Sequence, residues 1–265
     1  MDIDDGDTII IKINLCYFRD YRSGAITDPR ILKALLTILT NQFHNLKIYL
    51  IESDATATFV DLLFEWLDIN QVASKFGAKP INLSNQPFII KKFSTAKIFK
   101  NQRIPKLLED SHFFISLAKM KTHSLTGVTG ILKNQFGCIV EKRKVKYHPF
   151  LDEVIADVNL AFKPDLSIID GNIAMEGIAG PVWGSPRMER IFLAGEDPVA
   201  VDAFMAKLMG FNPKKIRHIK LAGALKIGNV NYKTESDYIN LIQKFQFNKF
   251  DQLFMNTVNF FKNYF

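Results

Sequence analysis

The chain has 265 residues, 48% of them hydrophobic and 23% charged, the composition of an ordinary globular protein with material for a substantial core. No apolar run approaches the roughly 18 residues of a membrane span, and the acidic start Met1–Asp7 lacks the basic-then-apolar order of a secretory signal; Cys16 and Cys138 offer neither a metal-ligand spacing nor a disulfide framework, so a reducing, cytoplasmic setting is expected. The net charge of +7 is uneven, because Pro87–Lys146 holds 13 Lys/Arg against 3 Asp/Glu, a local +10 that suits an anionic partner.

In chain order, Thr8–Ile13 is a β-branched apolar run and predicts a strand. Asp28-Pro29 supplies a cap and a first-turn proline for a helix whose stripe is Ile31, Leu32, Leu35, Leu36, Leu39 and Phe43. Lys47–Ile51 predicts the next strand, Thr58–Leu67 an amphipathic helix, and Ile81–Ser84 and Phe88–Ile90 further short strands. The lysines between Lys91 and Lys106 read equally well as a solvated basic face. Phe113–Leu117 is a strand leading into a glycine-rich polar loop. His148-Pro149 opens a helix to about Phe162, and Asp165–Ile169 and Arg190–Leu193 are strands. Asp197-Pro198 opens a helix with Val201, Phe204, Met205 and Leu208 on its apolar face, and a last helix runs from Pro213 to about Leu225.

This alternation predicts an α/β fold, a largely parallel sheet with helices on both faces. Residues 1–228 are expected to form a single α/β domain, with lobes 1–110 and 111–228 as the other division. Residues 229–265 are expected to be an aromatic-rich helical extension. Its stripe of Phe250, Leu253, Phe254, Val258 and Phe261 suits docking on its own domain or on a second subunit, so a homo-oligomer through the tail is plausible.

Polar residues gather where the strands end. Lys12 and Asn14 close the first, Glu52, Ser53 and Asp54 the second, Lys119, Lys121 and His123 the third, Asp170 and then Glu176 the fourth, Glu196 and Asp197 the fifth. If the strands are parallel, these groups share the edge where α/β proteins bind ligands. Lys12 inside Ile9–Ile13 is the least ordinary, since an uncompensated buried ammonium is costly.

Residues 119–138 pack three lysines, one histidine, four hydroxyls and three glycines into 20 positions. Lys12, Lys119, Lys121 and Lys133 can neutralise a carboxylate or phosphate, and the amides of Gly127–Ile131 can add donors if they open a helix. Lys121, desolvated beside other cations, His123 and His148 are the catalytic candidates for proton transfer or amine chemistry. Lys12, Asn14, Lys119, Lys133 and Asn134 are the substrate-binding candidates. Asp170 and Glu176 are candidates for a divalent cation such as magnesium. Asp197 reads as a helix cap, Asp202 as solvated, and His218 as structural. The Gly-x-x-x-x-Gly-Lys-Ser/Thr and Gly-x-Gly-x-x-Gly loops, His-Glu-x-x-His and Gly-x-Ser-x-Gly are absent, and no motif supports specific nucleic-acid binding.

Blocks in fixed order carry a resemblance: Lys12-Ile-Asn-Leu15, Thr27-Asp-Pro29, Lys119-Met-Lys-Thr-His123, Thr129-Gly-Ile-Leu-Lys-Asn-Gln-Phe-Gly-Cys138, His148, Lys163–Gly171, Ala174–Gly177, Gly180-Pro181, Gly184–Arg187 and Ala194–Ala203. Together they resemble the domain of unknown function family 362 across about residues 6–228. The resemblance implies an intracellular prokaryotic α/β protein with no generally established activity. Some family members carry ferredoxin-like cysteine clusters beside this domain; this chain has none, so an iron–sulfur cluster is not expected on it. Family members usually have Lys-Pro-Asn-Leu at 12–15 and a longer segment before it, so the chain resembles an N-terminally shortened member.

The preferred expectation is a small-molecule enzyme acting on an anionic carboxylate or phosphate substrate, with its reaction class open. The alternative is a non-catalytic binding or electron-transfer accessory protein whose basic face docks an acidic partner.

Overall fold

The structure, a computed structural model, describes residues 2–55, 58–177, 180–232, 234, 239–245 and 257. The strands are β1 (Thr8–Lys12), β2 (Lys47–Glu52), β3 (Lys79–Asn82), β4 (Phe88–Lys92), β5 (Asn101–Pro105), β6 (Phe113–His123), β7 (Gly127–Thr129), β8 (Leu166–Glu176) and β9 (Ser185–Gly195). The helices are α1 (Pro29–Gln42), α2 (Val60–Trp66), α3 (Ile69–Ser74), α4 (Lys106–Glu109), α5 (Ile131–Asn134), α6 (Leu151–Val158), α7 (Pro198–Leu208) and α8 (Arg217–Ala224). Seven strands form one sheet in the order β3-β2-β1-β6-β8-β9, with β7 folded onto β6. Neighbours from β3 to β8 are parallel, as the strand–helix alternation predicts. The α1 start is as read: Asp28 accepts the Arg30 amide, with Pro29 in the first turn.

Alternation along β1 distributes the core. Ile9 and Ile11 pack with Leu32, Leu36 and Leu39 of α1 and with α2 and α3. Ile10, one residue out of phase, packs on the other face with Val154 and Val158 of α6. A third cluster joins Ala118 and Met120 of β6 to Ile131 and Leu132, to Met205 of α7 and to Ile219 of α8. Helices therefore cover both faces, and each fully buried Ile or Leu contributes about 1.5–3 kcal/mol.

Three elements differ from the sequence reading. Phe88–Ile90 is a strand, but it forms a separate antiparallel hairpin with β5 rather than joining the sheet. The polar segment after Phe113–Leu117 is not a loop at once, because β6 continues through His123 and is buried throughout. Arg190–Leu193 lies within an eleven-residue β9 that runs antiparallel to β8. Glu196 and Asp197 therefore stand at the opposite edge from the ends of β1, β2, β6 and β8. There Asp197 caps α7, accepting the Val199 and Ala200 amides. The aromatic stripe from Phe250 to Phe261 lies outside the described residues.

Candidate functional site

The carboxyl ends of β1, β2 and β6 border a cleft of about 430 Å³. Lys12 and Asn14 enter it from β1, Glu52 and Ser53 from β2, and His123 from β6. The short α5 and the turn after it add Lys133, Asn134, Phe136 and Gly137, and a 3-10 segment, Lys144–Phe150, adds Lys144 and His148. Of the residues singled out from sequence, Lys12, Asn14, His123, Lys133, Asn134 and His148 line this one space. Lys121 stands behind it, Lys119 is held elsewhere, and Asp170 and Glu176 are apart from it.

Lys12 is fully buried and satisfied. Its Nζ donates to Glu52 Oε2 and to the Ile13 carbonyl, each at 2.7 Å, and reaches Asn134 Oδ1 at 3.4 Å. Asn134 then donates to the Lys12 carbonyl and to Ser116 Oγ, and accepts from Asn14 Nδ2 at 3.1 Å. Asn14 Oδ1 in turn accepts Lys121 Nζ at 2.8 Å, and Lys121 also donates to the Ala25 carbonyl and lies 3.7 Å from Cys16 Sγ. Burial lowers the Lys121 pKa, with the Cys16 sulfur opposing the shift and Lys119 adding to it. These residues form a hydrogen-bonded floor, and the Lys12 charge is already met by Glu52.

Lys133 and Lys144 are different. Among the described residues Lys133 has no hydrogen-bond or ion-pair partner; its Nζ sits 5.5 Å from the Phe136 ring centroid. Burial, reinforced by the Lys121 charge, pushes its pKa down to about 8. Lys144 donates to Ser53 Oγ, which also contacts the Gly137 and Ile139 carbonyls. Burial pushes Lys144 down to about 8 as well, against the attraction of Glu52. The cleft thus holds more cationic than anionic groups, and only Glu52 among its lining residues carries a carboxylate.

His123 has a defined role in this field. Its Nδ1 accepts the Leu125 amide at 3.0 Å, which leaves the ring proton on Nε2. Burial and the charges of Lys133 and Lys121 hold its pKa well below the ordinary 6.5. It is a neutral hydrogen-bond donor, not a cation.

The glycine-rich motif serves internal carboxylates. The Ile131 and Leu132 amides do open a short helix, but they donate at 2.6 and 2.9 Å to Asp202 of α7. Asp202, expected to be solvated, is fully buried, and burial pushes its carboxyl up to about 6 against those two bonds. A Cβ on Gly130 would strike the Asp202 carboxylate, and one on Gly137 would strike Glu52 and Lys12. Both glycines make room for the protein's own anions, and of the amides offered to a substrate that of Ile131 is already taken.

The remaining sequence candidates are paired. Lys119 faces Asp170 across the β6–β8 register at 2.9 Å, with side chains 1% and 0% exposed. Glu176 pairs with Arg187 of β9. Asp170 and Glu176 are not brought into a common ligand set: among the described residues no group of three His, Cys, Asp or Glu side chains is placed to hold a metal. His218 is buried 3.3 Å from Asp152, in keeping with a structural reading. Sequence reasoning missed Lys144, which sits in the basic run Glu141–Lys146 and carries no periodic signal of burial, and Ser53, which reads as an ordinary strand-end residue.

The sequence model of the domain of unknown function family DUF362 matches residues 9–207. A thylakoid-associated protein of Synechocystis, sll1697, is 33% identical over 125 residues, covering 44% of this chain and 39% of the relative. A crystal structure of a Thermotoga maritima protein aligns with 84% of this chain and 55% of its own, at 11% identity and a TM-score of 0.39. The chain therefore spans well under two thirds of the length of both. Among the described residues no helix is long and apolar enough to cross a membrane.

Proposed function

This chain belongs to the domain of unknown function family DUF362, whose name carries no activity, and we propose from the cleft that it binds an anionic small molecule and acts on it as an enzyme. The observation that carries this reading is the unmatched pair Lys133 and Lys144 in a cleft whose one lining carboxylate is committed to Lys12. A carboxylate or phosphate entering there meets two ammonium groups with lowered proton affinity and the Nε2–H of His123. Such a ligand raises the lysine pKa values on binding and leaves His123 to donate to a developing negative oxygen. Lys12, Asn14, Asn134 and Lys121 act from behind as a rigid floor that fixes the position of these groups. Lys133, deprotonated in part near pH 8, is the amine best placed to exchange a proton with the ligand.

Calorimetric titration with inorganic phosphate and with malonate tests this. Binding near pH 7 that is lost in Lys133→Ala and Lys144→Ala, with Tm retained, is the expected result. No binding of either anion, or binding indifferent to both substitutions, would overturn it.

A second reading has its own observation. The β4–β5 hairpin exposes Phe88, Ile89 and Ile90 beside Lys91 and Lys92, a basic and apolar surface that suits docking of an acidic protein partner. Association of that kind weakens with salt, and substitutions in the hairpin would weaken it without touching the cleft.

A further inference from the structure

We propose that the ligand is an amphiphilic anion with a flat ring body: its phosphate or carboxylate head sits at Lys133 and Lys144, and its ring lies along the wall that starts at Tyr17. This rests on reading the cleft as an anion site and adds the class of molecule it takes.

Size is the first argument. A volume of about 430 Å³ falls within the roughly 300–1,000 Å³ typical of pockets for drug-sized ligands. An inorganic anion would fill only part of it. Lining chemistry is the second. Beside the polar groups, which include Glu52, Ser53, Thr58, Ser124 and the two histidines, the walls carry Leu15, Tyr17, Phe136, Val145, Pro181 and Val182. More of the lining surface is apolar than polar, so an apolar body is wanted beside the charged head.

The aromatic rim argues for a ring rather than a flexible chain. Tyr17 is fixed by two edge contacts, 5.6 Å from the Trp183 ring and 6.3 Å from Phe18. Trp183 stands behind Tyr17 with the Arg19 guanidinium 4.7 Å from its ring centroid. Trp183 is 60% exposed and Val145 is 52% exposed, so the outer part of the wall is apolar surface still in contact with water. A rigid aromatic wall gains most from another ring, through area burial and the edge or offset geometry that aromatic pairs prefer. Within the cleft, Lys133 over the Phe136 ring brings charge and wall together.

The test compares matched pairs by calorimetry: inorganic phosphate with phenyl phosphate, and malonate with phenylmalonate. In at least one pair the ring-bearing anion is expected to bind about tenfold tighter or better, a difference of about 1.4 kcal/mol. The pair that shows it identifies the head group. Tyr17→Ala should bring the two members of that pair within about twofold while leaving the small anion's affinity unchanged. In Trp66→Phe, where Trp183 is the one remaining tryptophan, the ring-bearing anion should change the emission and the small anion should not. Equal affinities within both pairs would overturn the ring body and leave the anion site standing. No binding by any of the four would remove both. A ring advantage that survives Lys133→Ala and Lys144→Ala together would mean adsorption to the rim, and would also overturn the proposal.

Discussion

Two sets of lysines inside the protein, 14 and 25 residues apart in sequence, obey opposite rules. At the β6–β8 pairing, Lys119 meets Asp170 in register, both fully enclosed, and the charge is closed. In the cleft, Lys133 and Lys144 have no carboxylate of their own, and their proton affinity falls to about that of a neutral-pH buffer. The same side chain is a structural rivet in one place and an incomplete circuit in the other. Burial alone does not separate the two; the identity of the nearest acceptor does.

The contrast can be broken most forcefully at the closed pair. Asp170→Ala strands the Lys119 ammonium, which is expected to cost about 3–5 kcal/mol and to lower Tm by roughly 6–20 °C in thermal melts. Lys119→Met with Asp170→Ala should recover much of that loss, because no ion then remains buried. A single variant as mild as the double one would show that the pair is not the rivet described.

In the cleft the sign should reverse. Lys133→Met, whose sulfur can lie against Phe136, and Lys144→Met remove a burial penalty that outweighs the attraction these ammonium groups feel. Each should raise the Tm of the ligand-free protein at pH 7 by roughly 2–4 °C, the scale of about 1 kcal/mol, while abolishing anion binding. A fall in Tm for both would place these lysines with Lys119.

The pH dependence sharpens the comparison further. Both lysines titrate near 8 in the folded chain against an ordinary 10.5. Below about 8 both states hold the proton and the folded state bears the whole burial penalty. Between about 8 and 10.5 the folded state sheds protons that the unfolded state keeps, so the contribution of these groups to stability rises. The Tm advantage of the two methionine variants should therefore shrink as pH is raised from 7 to 9. Anion affinity of the unaltered protein should fall over the same range. The smallest effect is spectroscopic: the His123 ring resonances should stay at their neutral positions from pH 6 to 8, and a midpoint near 6.5 would contradict its place in the field of Lys133 and Lys121.

The parallel part of the fold was legible because Ile9–Ile11, Lys47–Ile51 and Phe113–Leu117 are β-branched or apolar runs between capped helices. The direction of β9 was not legible, because the strands read from sequence, Asp165–Ile169 and Arg190–Leu193, leave 20 residues between them, enough for a parallel crossover. In the structure both strands are longer and only residues 177–184 separate them, too few for a crossover. Lys119, Lys121 and His123 alternate at a spacing of two, the signature of a strand, but the hydroxyls and glycines beyond them masked it. Lys12 was legible as a buried cation in want of a partner, and Glu52 at the end of the next strand is that partner. Asp202 was not legible, because its partners are two amides 70 and 71 residues earlier, a relation no local pattern records. Lys144 was lost for the opposite reason: it lies among Lys142, Arg143 and Lys146, and charge runs usually face water.

The bonds that build the cleft floor also set when it can exist. Asn14 reaches Asn134 over 120 positions, Lys121 reaches Asn14 over 107, and the amides that open α5 wait for Asp202. Contacts of such separation demand large loop closures before they return any energy, and they slow the search for the native state. A chain emerging from the ribosome can pair β1 with β2 early, from residues 47–51 onward, yet it cannot finish the floor until the segment through Asp202 has followed. Until then Lys12 and Glu52 have each other, while Lys121 and the α5 amides have only water. The site is therefore a late product of synthesis, and its completion reports that nearly the whole sheet has closed.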